Sequence, residues 1–84
     1  MKDIRPHTKI DVRDLMVPIS LLTVENKLAE MACGQIAEVL CADEETKADL
    51  IDILHNSKDR CIGVDETADH FRLFIEKGAL GGRL

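Results

Sequence analysis

The sequence predicts an α+β domain, a two-layer α/β sandwich of order βαβαββ with two helices on one face of a mixed four-stranded sheet. Three observations predict it. Residues 9–13, 35–42, 61–65 and 70–76 are short, apolar-rich stretches of strand character, two segments between them have helical spacing, and 84 residues suffice for one domain but not two. The domain is expected over 9–78, after a flexible segment at 1–8 and before a flexible tail, "ALGGRL", at 79–84.

Each element has a local reason. "KIDVR" sends Ile10 and Val12 to one side, as a half-buried strand does. Pro18 suits the first position of a helix, where its missing N–H costs nothing. Leu21, Val24, Leu28 and Met31 then follow 3-4-3 spacing along one helical face, and Gly34 is the expected stop. "QIAEVLCA" reads as the second strand. Asp43 is the expected N-cap of the second helix, with Glu44 and Glu45 favourably placed against the dipole and Ala48, Ile51 and Leu54 as its buried stripe. "CIGVD" and "HFRLFIE", separated by "ETAD", close the fold as a hairpin. Right-handed crossovers make the first three strands run in one direction, with the fourth antiparallel.

Composition narrows the function. Two phenylalanines and no tryptophan or tyrosine leave an aliphatic core and few base-stacking surfaces. Sixteen acidic residues against eleven basic ones give a net charge of −5, with no cationic run to neutralise phosphates, so nucleic acid is not an expected partner. No apolar stretch reaches the roughly 18 residues of a membrane span, and "MKDIRPHTKI" lacks a signal-peptide core, so a cytoplasmic protein without membrane contact is expected. Cys33, Cys41 and Cys61 form no close pair and read as free thiols.

Several stretches carry a resemblance across residues 10–78: Asp11, Arg13 and Leu15 in a D-x-R-x-L pattern, a proline opening the first helix, "GQIAEVLCAD" into an acidic helix start, and "FRLFIEKG" at the end. In these the chain resembles the TusA/SirA family of small sulfur-relay proteins. The resemblance implies a βαβαββ sandwich similar to the C-terminal domain of bacterial translation initiation factor three. It implies protein partners from sulfur metabolism, such as a cysteine desulfurase, a rhodanese or a DsrE-like protein, and no cofactor. In that family a cysteine immediately before the helix-opening proline, in a Cys-Pro-x-Pro motif, carries sulfur as a persulfide. Aligned on Pro18, Val17 takes the cysteine position and Ser20 that of the second proline. A thiolate is the nucleophile in such chemistry, and valine has no ionisable atom.

Other residues are candidates for the missing role. Cys41 ends the second strand at the same sheet edge as Val17 and is the candidate for a relocated thiol, although alternation places it with Ala37 and Val39 on the helix-facing side. Cys33 and Cys61 fall at the opposite edge. His7, His55 and His70 are scattered without ligand spacing, so no metal is expected. Ser20 has no histidine base at a recognisable spacing. Gly81-Gly82 is similar to the diglycine of ubiquitin-like carriers, but Arg83-Leu84 follow it. Alternation sends Ile36, Leu40 and Phe74 to the open sheet face, where exposed apolar residues in neighbouring strands would form a contact surface or a homo-oligomer interface. The leading expectation is a binding or regulatory module of the sulfur-trafficking kind; the alternative is an active carrier using Cys41.

Overall fold

In the computed structural model, which describes residues 5–78, the chain runs β1 (Thr8–Asp11), α1 (Ile19–Ala29), β2 (Ile36–Cys41), α2 (Glu44–His55), β3 (Arg60–Glu66) and β4 (Phe71–Glu76). This is the expected element order. The tail expected at 79–84, and residues 1–4 of the expected N-terminal segment, lie outside the described residues. β1 starts at Thr8, inside that segment. It is anchored there because His7 pairs twice with Ile36: its N–H donates to the Ile36 carbonyl at 2.7 Å, and its Nδ1 accepts from the Ile36 N–H at 3.1 Å.

The sheet order is β1-β2-β4-β3, with β1 parallel to β2 and β4 antiparallel to both β2 and β3. β1, β2 and β3 therefore share one direction, and the returning strand fills the place between β2 and β3. One consequence positions the site. The ends of β1, β2 and β3, the starts of both helices and the β3–β4 turn all gather at one edge of the sheet.

One face of the sheet carries Ile10, Ala37, Val39, Cys41, Phe71, Leu73 and Ile75, which pack with Val24 and Leu28 of α1 and Leu50 and Leu54 of α2. Each fully buried aliphatic side chain contributes about 1.5–3 kcal/mol, so an aliphatic core is sufficient for a chain of this size. Asp43 caps α2 as expected, its carboxylate accepting from Thr46 N at 3.1 Å. α1, in contrast, ends at Ala29, earlier than the Gly34 stop the sequence predicts, because Glu30 and Met31 close the last turn onto Lys27 and Leu28. Gly34, at φ +90°, instead makes the turn into β2, where its N–H donates to Lys77.

The open face corrects a second expectation. Leu40 and Phe74 do lie there, opposite Arg72 and Glu38 respectively, but they are only 5% and 7% exposed, and Ile36 is half-buried. Long charged side chains cover them. The Arg72 guanidinium sits 5.3 Å from the Phe74 ring centroid, its Nε lies 3.3 Å from Glu38 without hydrogen-bond geometry, and Arg60 pairs with Glu76 at 2.8 Å. The apolar contact surface predicted from Ile36, Leu40 and Phe74 is therefore not presented to solvent.

Candidate functional site

The corner between β1 and α1 is held by short-range bonds. Arg13 grips Asp11 through two side-chain hydrogen bonds of 2.9 and 2.7 Å and also donates its N–H to it at 3.1 Å. That grip holds the Asp11 carboxyl down at about 2, so it stays ionised through the neutral range. Val12 N donates to Leu40 O and Leu15 N to Val12 O, and Leu15 packs against the core. The D-x-R-x-L residues thus build the corner, with the Asp11–Arg13 pair exposed on its surface and Leu15 turned to the core.

Val17 is half-buried just outside α1, and its bond to Pro18 is cis. Pro18 is the N-cap, one position further out than expected, and no side chain caps the helix. The amide groups of the first turn therefore have no side-chain acceptor, which makes the place before Pro18 one that favours a negative atom. A thiol at position 17 would meet that field. Valine leaves it unused.

Ser20 faces inward with no solvent exposure, and its Oγ has no hydrogen-bond partner. A hydroxyl so placed is no nucleophile, and it loses its hydration for nothing. Ser20→Ala is expected to raise stability by about 1 kcal/mol, read as an upward shift of the urea midpoint; an unchanged or lower midpoint would mean that the hydroxyl is paired.

The thiols are separated by the fold. Cys41 shares the edge with Val17 but is wholly buried, and burial, reinforced by Asp43, pushes its thiol up to about 11. At pH 7 that leaves on the order of one thiolate in ten thousand. Cys33 is exposed in the turn after α1, and half-buried Cys61 is the second residue of β3; both are at the opposite edge. Cys61 lines a cavity of about 410 Å³ with Ile51, Leu54 and His55, remote from the corner. The histidines are dispersed as well: His7 pairs with Ile36, His55 ends α2, and His70 Nδ1 lies 2.8 Å from Asp69 in the β3–β4 turn. Among the described residues no group of three or more His, Cys, Asp or Glu is placed to hold a metal ion.

Sequence reasoning missed the most conspicuous surface feature of the corner. Met16, Ile19 and Leu22 are 80%, 53% and 50% exposed, on α1 and the residues leading into it. The signal was available: once Ser20, Val24 and Leu28 are assigned inward, the 3-residue step from Met16 to Ile19 to Leu22 marks a second apolar stripe turned outward.

A family model described as Sulfurtransferase TusA matches residues 8–77. Among solved structures the chain is similar to HP1264 from Helicobacter pylori, known from a solution structure. The TM-score is 0.67 at 15% identity, covering 84% of this chain and 97% of that one, a likeness of fold. No curated protein matches the chain.

Proposed function

We propose, from the premise that the chain belongs to the TusA sulfurtransferase family, that it is a sulfur-trafficking-family protein acting as a protein-binding or regulatory module, without a sulfur-accepting thiol at the family's corner. The observation that carries this reading is Val17, set before the helix-opening Pro18, with Ser20 at the place of the motif's second proline. In a relay, an acceptor thiolate attacks the terminal sulfur of a donor persulfide; a new S–S bond forms as the donor leaves as thiolate. Val17 has no atom that can make that attack. Cys41, the alternative acceptor, lies beneath the surface with a raised pKa. The reading therefore keeps the family's docking role and removes its cargo.

Competition tests this. A cysteine desulfurase loads a TusA protein that retains its cysteine, and this chain is added in increasing excess. Loading of the carrier is expected to slow with a saturable dependence on the added chain, while the added chain gains no mass. Undiminished loading would contradict the docking role, and a gain of one sulfur atom by the added chain would contradict the loss of cargo.

A further inference from the structure

We infer that the corner docks a partner protein whose contact face is apolar at its centre and rimmed by lysine or arginine, an inference that rests on the binding-module reading above. The centre is supplied by Met16, Ile19 and Leu22, three large apolar side chains at least half exposed within seven residues of chain. The rim follows from topology. The same sheet edge receives Asp14 before the corner, Asp43, Glu44 and Glu45 at the start of α2, and Asp69 in the β3–β4 turn, all exposed.

The cations of this edge are already occupied. Arg13 is bound to Asp11, and Lys47 lies 3.4 Å from Glu44 and 4.7 Å from the Phe71 ring centroid. Lys47 offsets Glu44 and His70 lies against Asp69, but Asp14, Asp43 and Glu45 have no cation beside them among the described residues, so this edge of the sheet stays net acidic around the exposed apolar residues. Such an edge repels nucleic acid and anionic lipid, and it repels a second copy of itself, so an isologous dimer through this corner brings like charges together. What fits is a heterologous face of opposite charge with an apolar core.

The probes are two matched amphipathic helical peptides, each with one leucine face, flanked by lysines in the first and by glutamates in the second. Fluorescence anisotropy with the full chain is expected to show binding of the lysine peptide and none of the glutamate peptide. Leu22→Asp separates docking from mere charge attraction. It makes the corner more acidic, so simple ion association would tighten, whereas a docked peptide loses its apolar anchor and binds about tenfold more weakly. Glu44→Lys with Glu45→Lys is expected to weaken binding several-fold and flatten its salt dependence, and Glu30→Lys, at the far end of α1, to change little. All these positions are exposed, and circular dichroism confirms the fold of each variant. Lack of binding by the lysine peptide, binding of the glutamate peptide, or tighter binding by Leu22→Asp would overturn the inference. A successful desulfurase competition alongside any of these would leave the binding-module reading standing.

Discussion

Val17→Cys is expected to convert the chain into a persulfide acceptor. The new thiol would lie just outside α1, next to an N-cap that makes no side-chain hydrogen bond. The Ser20 N–H is taken by the Met16 carbonyl, but the dipole of that turn still favours thiolate over thiol. Its pKa should therefore fall below the ordinary value of about 8.5, and each unit of decrease makes the thiolate at neutral pH about tenfold more abundant. Asp14 works in the opposite direction, but Asp11 is neutralised by Arg13. The pH dependence of alkylation at position 17 reads the pKa, and mass mapping after desulfurase treatment reads the loading. Loading is expected at the introduced thiol in preference to Cys33, Cys41 and Cys61. An ordinary pKa without preferential loading would show that the corner does not have the geometry of a sulfur site.

Phe74→Glu and Leu40→Lys are expected to be the most damaging substitutions on the open face. Alternation alone treats both positions as solvent-facing, where a charge would be harmless. In the fold both side chains are over nine-tenths buried, and Phe74 lies beneath the Arg72 guanidinium. Phe74→Glu removes an aromatic ring and sets a second carboxylate opposite Glu38. The combined loss of about 3–5 kcal/mol takes most of the stability of a domain this small. Leu40→Lys keeps some of its stem packing and is expected to cost about 2–4 kcal/mol. Thermal unfolding measures both; melting temperatures within a few degrees of the parent would mean that the face is open after all.

The contrast between alternation and burial marks how far the sequence could be read. Periodicity located all six elements, because Val24 and Leu28 must share a helical face and Ala37, Val39 and Cys41 a strand face whatever the topology. It assigned Leu40 and Phe74 to the correct side of the sheet. It could not say what lies over them, since strand alternation sets the side of the sheet but not whether a long side chain such as Arg72 folds back across it toward Phe74 and Glu38. α1 ended early for a similar reason: a glycine with positive φ terminates a helix or turns a loop equally well, and Gly34 does the latter. At the corner, Pro18 marked the helix start and thereby identified Val17. The outward stripe of Met16, Ile19 and Leu22 is not legible from the buried stripe alone, because a second face of the same helix shares its period.

A chain that keeps the family's fold but has no acceptor for its sulfur takes up no sulfur from a desulfurase. Intact-mass analysis of the unaltered protein after incubation with a cysteine desulfurase and cysteine, followed by peptide mapping of its three cysteines, tests it most directly. An unchanged mass is expected, with the Val17→Cys variant gaining one sulfur atom under the same conditions. A persulfide mapped to Cys41 of the unaltered chain, abolished by Cys41→Ser, would contradict it and identify a working carrier with a relocated thiol.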